Sequence, residues 1–291
     1  MKPRNTGEGT LRLPAPAKLN LFLHVTGRRD DGYHLLESVF APVTLADTVC
    51  LSLRDDGVIA LLDAPEGLTE ANDLACRAAR ALQSASGTGF GVDIQLVKRI
   101  PHGAGLGGGS SDAATTLLGL NRLWQLSRSR VELQEIGATL GADVPFFVFG
   151  QPALARGLGE KLRAVTLPAT QVVIASPGVA VATSTVFAHP ELARNTATLQ
   201  TAVFRLNFGR NDLEPVAIRL QPHIDRLHRA FVAAGAVPRM TGSGSCVFAL
   251  AHHASEAIRL KTELEGAGWR AWAVRTLHQH PLLGLAHGAI I

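Results

Sequence analysis

The run Pro101-His-Gly-Ala-Gly-Leu-Gly-Gly-Gly-Ser-Ser-Asp-Ala-Ala114 constrains this 291-residue chain more than any other stretch. Five glycines between Gly103 and Gly109 leave the main chain bare, so its N–H groups can come close to an anion. Ser110, Ser111 and Asp112 then open an apolar, Ala- and Leu-rich segment expected to be helical over 111–126. A bare loop feeding a helix N-terminus is a phosphate-binding device, because unpaired N–H groups and the positive end of the helix dipole converge there. The strand-like run Val92–Val97 before it and the helical run after it argue against a flexible linker.

Phosphate loops of two common kinds fit poorly. A Walker loop needs a lysine directly before its Ser or Thr, and no lysine lies between Lys98 and Lys161. Gly103, Gly105 and Gly108 do match Gly-x-Gly-x-x-Gly after a strand. A dinucleotide fold also wants an acidic residue closing the next strand, however, and the region Leu126–Glu132 reads as a connection between helices.

The whole run 101–114 resembles the ATP loop of the GHMP kinases, small-molecule kinases that include the galactose, homoserine and mevalonate enzymes. The resemblance implies ATP as phosphoryl donor with Mg2+ as companion ion. It assigns nucleotide contacts to Lys98 and to Pro101, His102, Gly103, Ala104, Gly105, Leu106, Gly107, Gly108, Gly109, Ser110 and Ser111.

Composition narrows the setting. Hydrophobic residues make up 46% of the chain, enough for a sizeable core, and tyrosine occurs once, at Tyr33. The net charge of +4 suits anionic small molecules, while scattered Lys and Arg give no nucleic-acid tail. Three distant cysteines, Cys50, Cys76 and Cys246, form neither a disulfide framework nor a metal motif, as expected of a cytoplasmic protein. Residues 1–10 lack the apolar core of a signal peptide, and no apolar run is long enough to span a membrane, so no membrane partner is expected.

Alternation over 18–25 predicts a strand with Leu19, Leu21, Leu23 and Val25 on one face and Lys18, Asn20, Phe22 and His24 on the other. Further strands are expected at 35–43, 48–53, 92–97, 162–167, 171–175 and 269–276. Asn72 is expected to cap a helix to residue 86, and 212–234 to be helical with interruptions at Pro215 and Pro222. Mixed strands and helices without regular alternation indicate an α+β protein. Asp143, followed by Val-Pro-Phe-Phe, is either a helix cap or a carboxylate that needs a cation to hold its charge, and Lys18 is the natural candidate.

Pro16-Ala-Lys-Leu-Asn-Leu-Phe-Leu23, Asp30-Asp-Gly-Tyr-His34, Gly141-Ala-Asp-Val-Pro145, Asn211-Asp-Leu-Glu214 and Pro177-Gly178 followed by Thr183-Ser-Thr-Val-Phe187 resemble one branch of the family, which phosphorylates a cytidine-diphosphate conjugate of methylerythritol in non-mevalonate isoprenoid synthesis. That likeness implies the two-domain GHMP kinase fold, with residues 1–157 as a ribosomal-protein-S5-like domain, 158–291 as a ferredoxin-like α/β sandwich, and the active site in the cleft between them. It implies Lys18 and Asp143 as the catalytic pair and Asn20 near the acceptor hydroxyl. Tyr33 and Phe187 would stack on the cytosine and His34 would bond its edge. Gly242, Ser243 and Gly244 would form the motif that packs on the phosphate loop. The metal ligands stay open among Ser110, Ser111, Asp112, Glu132 and Asp143. A monomer or weak homodimer is expected. A kinase for another alcohol, such as homoserine or mevalonate, and a non-catalytic nucleotide sensor are the alternatives.

Overall fold

The computed structural model describes residues 10–63, 69–199 and 206–287. The N-terminal stretch read for a leader lies, apart from Thr10, outside the described residues. Two long strands, β1 (Thr10–Arg28) and β2 (His34–Arg54), form an antiparallel hairpin around which the first half is built. β3 (Ile59–Leu62), α1 (Leu74–Ser86), β4 (Gly91–Val97), α2 (Gly108–Leu123), α3 (Arg130–Ala138), α4 (Val144–Phe149), β5 (Ala153–Gly157) and β6 (Lys161–Ala164) complete it. The sheet runs β3-β4-β2-β5-β6, with β1 on β2. The division expected after residue 157 falls in the turn joining β5 to β6.

The second half comprises β7 (Gln171–Ser176), α5 (Thr183–Ala188), α6 (Glu214–Leu220), α7 (Pro222–Ala233), β8 (Arg239–Met240), β9 (Val247–Ala251), α8 (Ala254–Gly266) and β10 (Arg270–Arg275). Its antiparallel sheet runs β10-β7-β9-β8. The α+β expectation holds.

Several expected boundaries move. The two strands read at 35–43 and 48–53 are one, β2, because β1 pairs with it across the intervening residues. The helix after the glycine loop starts at Gly108 rather than 111, since only the left-handed Gly107 is needed to turn the chain into it. Asp73, not Asn72, caps α1, its carboxylate accepting from the N–H groups of Ala75 and Cys76. Pro215 sits in the first turn of α6, where its missing N–H costs nothing, so it starts a helix instead of interrupting one. The strict alternation along β1 also fails. A register shift between Asn20 and Leu23 puts Phe22 in the same apolar cluster as Leu19 and Leu21, while Leu23 and Val25 join another.

Three cores result. One lies between the first sheet and α1–α4, and one between the second sheet and α6–α8. The third joins the halves, with Leu19, Leu21, Phe22 and Val39 against Val172, Ile174, Phe248 and Val274. Each such side chain, fully buried, contributes roughly 1.5–3 kcal/mol. This shared layer fixes the halves against each other, and bridges Leu23 to Asn211 and Val43 to Thr276 stitch its edges.

Candidate functional site

The glycine loop crosses the junction of the halves. Gly105 and Gly107 have φ of +76° and +70°, conformations that a side chain disfavours. A Cβ at Gly105 would lie 2.1 Å from the carbonyl oxygen of Thr241, so that loop and the turn 242–244 touch backbone to backbone. The Cys246 N–H donates to the Ala104 carbonyl (3.1 Å), and Thr241 Oγ1 donates to that of Gly105 (3.3 Å). Asn211 holds the same turn from below, its amide donating to the carbonyls of Met240 (2.9 Å) and Gly242 (2.7 Å). The turn 242–244 therefore does pack on the glycine loop.

Two cavities lie on either side of this loop. The first, about 290 Å3, is lined by the loop together with Asn72, Leu96 and Lys98. The second, about 320 Å3, is lined by Lys18, Asn20, Asp143, Phe187 and the turn 242–244. Gly103, Gly105, Gly107 and Ser110 line both. No side chain caps α2, so its leading N–H groups are left for an anion at the place where the two cavities meet.

Lys18 is buried at the floor of the second cavity. Its main-chain N–H donates to the Leu106 carbonyl (3.0 Å), which ties β1 to the glycine loop. Its ammonium donates to Asn20 Oδ1 (2.5 Å), lies 3.3 Å from Asp143 Oδ2 and sits 4.9 Å over the Phe40 ring. Asp143 precedes α4 but makes no cap bond to it, so its carboxylate is used by Lys18 and by solvent, at 31% exposure. Asn20 is held by its neighbours: its amide donates to Ser38 Oγ (2.9 Å) and its main-chain N–H to Thr241 Oγ1 (2.9 Å).

Lys98 bridges two carboxylates, Asp47 and Asp112. Burial works against its charge, yet Asp112 and Asp47 outweigh it and its pKa is raised. Burial pushes the Asp112 carboxyl up to about 7, with Lys98 opposing and Asp47 adding. Asp47 also accepts from the N–H groups of Arg99 (2.5 Å) and Ile100 (2.8 Å), bracing the entry to the loop. Nothing in the short run Leu45-Ala-Asp-Thr-Val49 signals this role, because Asp47 acquires its partners only through the pairing of β2 with β4.

Tyr33 and His34 stand at the tip of the β1–β2 hairpin. Tyr33 is 63% exposed. His34 stacks on Phe187, with ring centroids 5.1 Å apart and a tilt of 27°. Arg194, which the sequence reading overlooked, donates from Nε to His34 Nε2 at 2.9 Å. Two expected nucleotide residues lie off the cavities. Leu106 is buried in the core between the halves, and Ser111 donates its hydroxyl to the Pro16 carbonyl (2.7 Å). Glu132 caps α3 in a reciprocal pair with Ser129 and salt-bridges Arg128, away from both cavities. Among the described residues no three His, Cys, Asp or Glu side chains form a metal cluster, and no helix is long and apolar enough to cross a membrane.

Residues 73–151 match the model of the GHMP kinases N terminal domain, and 188–270 that of the GHMP kinases C terminal. The chain is 51% identical over 269 residues to the 4-diphosphocytidyl-2-C-methyl-D-erythritol kinase of Thiobacillus denitrificans, covering 92% of this chain and 96% of that protein. A crystal structure of 4-(cytidine 5'-diphospho)-2C-methyl-D-erythritol kinase superposes with a TM-score of 0.79 at 39% identity, over 91% of this chain and 99% of the other. The homoserine kinase of Cytophaga hutchinsonii superposes at 0.68 over 96% and 98% of the two chains, at 16% identity, a likeness of fold alone.

Proposed function

The chain belongs to the 4-diphosphocytidyl-2-C-methyl-D-erythritol kinase family of the GHMP kinases, and from that membership we propose that it moves the γ-phosphoryl group of ATP to the tertiary 2-hydroxyl of the methylerythritol moiety of 4-diphosphocytidyl-2-C-methyl-D-erythritol. It is an ATP-dependent small-molecule kinase, of the non-mevalonate route to isoprenoid precursors. The observation that carries the reading is the pair of cavities sharing one glycine loop, with Lys18 and Asp143 in ion-pair contact beside it.

ATP in the first cavity lays its phosphates along the bare N–H groups of 103–110 and the open end of α2. The cytidine-diphosphate substrate occupies the second cavity, its base between Tyr33 and Phe187 and its acceptor hydroxyl near Asn20 and Asp143. Asp143 orients that hydroxyl and takes its proton. Lys18 offsets charge on the transferring group. The new bond joins the substrate oxygen to phosphorus, the bond to the bridging oxygen of ADP breaks, and ADP leaves.

Mg2+ takes one or two protein ligands and keeps phosphate and water oxygens for the rest, so it needs no cluster of three acidic side chains, and the described residues hold none. The Ser110 hydroxyl and Asp143, both lining the second cavity, would hold it, and when bound it neutralises phosphate charge. Three free cysteines support a reducing cytoplasm, and two cavities lined by one chain support action as a monomer or weak homodimer.

The high identity to cytidylyl-substrate kinases argues against homoserine or mevalonate as acceptor. The Lys18–Asp143 pair argues against a non-catalytic sensor. Incubation with ATP and Mg2+ and a panel of 4-diphosphocytidyl-2-C-methyl-D-erythritol, homoserine and mevalonate tests all three readings. Phosphorylation of the cytidylyl conjugate alone is expected. Preference for another alcohol, or ATP binding without a product, would overturn the proposal.

A further inference from the structure

The guanidinium of Arg194 ties the β1–β2 hairpin tip to the segment that follows α5. Its Nη2 donates to the carbonyls of Phe187 (3.1 Å) and His189 (2.7 Å), its Nη1 to that of Leu192 (3.0 Å), and its Nε to His34 Nε2 (2.9 Å). A guanidinium has donors only and stays charged at every relevant pH. The bond to His34 therefore requires a lone pair on Nε2, which places the single ring proton of a neutral imidazole on Nδ1. A doubly protonated ring would set N–H against N–H. Burial, then the charges of Arg194 and Arg28, hold the His34 pKa below its ordinary value, in keeping with a neutral ring.

His34 stacks on Phe187 at an interplanar angle of 27°. A planar partner bonded in the plane of the imidazole would extend over the remaining face of Phe187, where stacking adds to the hydrogen bond. The edge of such a partner meets a donor. Cytosine presents an unprotonated N3 there, whereas uracil presents N3–H.

We propose that Arg194 is a positioning residue that sets base selectivity: by donating to Nε2 it fixes His34 as an Nδ1–H donor, which pairs with N3 of a cytosine and opposes N3–H of a uracil. The inference rests on the reading of Tyr33, His34 and Phe187 as the base slot. Without Arg194 the imidazole is free to move its proton to Nε2 and accept from uracil.

Two variants separate this role from simple bracing of the loop. Arg194→Gln and Arg194→Lys both disturb the three carbonyl contacts, but lysine remains a donor only, while a glutamine amide can donate or accept. The ratio of kcat/KM for the cytidine-diphosphate conjugate over its uridine-diphosphate analogue is measured for wild type and both variants. The ratio is expected to fall at least about ten-fold in Arg194→Gln and to stay within about three-fold of wild type in Arg194→Lys. Equal ratios in all three proteins, or equal losses in both variants, would overturn the tautomer role. Nitrogen NMR of His34 in the wild-type protein gives a second readout that needs no variant to fold: Nδ1 protonated with Nε2 bare supports the proposal, and the reverse overturns it. A wild-type enzyme that ignores the cytidylyl conjugate would instead remove the function on which the proposal rests.

Discussion

Asp143 sets its Oδ2 3.3 Å from the Lys18 ammonium and contributes nothing to the helix it precedes. A carboxylate at a helix start ordinarily caps it, for about 1 kcal/mol of stability. Here the side chain turns instead toward a lysine that is itself buried and already held by Asn20. The pair faces the cavity shared with the glycine loop, which is where a transferring phosphoryl group and an acceptor hydroxyl would meet.

Removing either member therefore acts on chemistry more than on folding. Lys18→Ala and Asp143→Asn are each expected to lower kcat on the order of 10²-fold or more. Asp143→Asn, which deletes no cap bond, is expected to melt near the wild-type temperature. Steady-state kinetics beside thermal melts checks both, and wild-type turnover in either variant would strike that residue from the mechanism.

Backbone contact between the glycine loop and the turn 242–244 makes the loop intolerant at one point and tolerant at another. Gly105→Ala would put a methyl 2.1 Å from the Thr241 oxygen at a φ of +76°, so one of the two loops must move. A loss of roughly 1–3 kcal/mol in stability, with weaker ATP binding, is expected. Gly109→Ala meets only Leu74 Cδ1 at 3.4 Å and lies in a helix, so it should melt close to wild type. Melts with and without ATP distinguish the two. Equal behaviour would mean that the loops are not in contact.

Tyr33 is the most exposed of the aromatic residues named for the site, at 63%, so its ring supports no core. Tyr33→Ala is expected to leave the melting temperature unchanged and to raise KM for the cytidylyl substrate about ten-fold, the scale of one lost base stack. An unchanged KM would place the base elsewhere.

His280 provides a pH test away from the site. Burial, with the charge of Arg130 adding, pushes its pKa down to about 3, while its Nδ1 accepts from the Leu282 N–H at 3.1 Å. Above pH ~6.5 the ring is neutral whether the chain is folded or not. Between about 3 and that value only the unfolded chain takes up the proton, so stability falls as pH drops through this window, by at most ~1.4 kcal/mol per pH unit. His280→Asn keeps an acceptor and loses the proton uptake, so its melting curve should fall less steeply from pH 7 to pH 4. Parallel curves for the two proteins would show that His280 is not buried neutral.

The phosphate loop was legible because its chemistry is local: bare backbone, positive-φ turns and a helix start all lie within Gly103–Gly109. Most strands were legible from alternation, but the bulge after Asn20 was not, since a register shift leaves no mark in composition. Lys18 and Asp143 are each suggestive in sequence, and only the family resemblance put them together. Asp47 and Arg194 gave no signal. Asp47 meets Lys98 only through strand pairing, and Arg194, though it also bonds carbonyls close to it in the chain, meets His34 from 160 residues away.

A crystal structure with a non-hydrolysable ATP analogue, Mg2+ and 4-diphosphocytidyl-2-C-methyl-D-erythritol would show whether the glycine loop and the Lys18–Asp143 pair meet at the transferred phosphoryl group. A triphosphate is expected along 103–110 with its terminal phosphorus between Lys18 and the acceptor hydroxyl, and that hydroxyl on Asp143. Nucleotide bound away from the glycine loop, or an acceptor hydroxyl out of reach of Asp143, would contradict this arrangement.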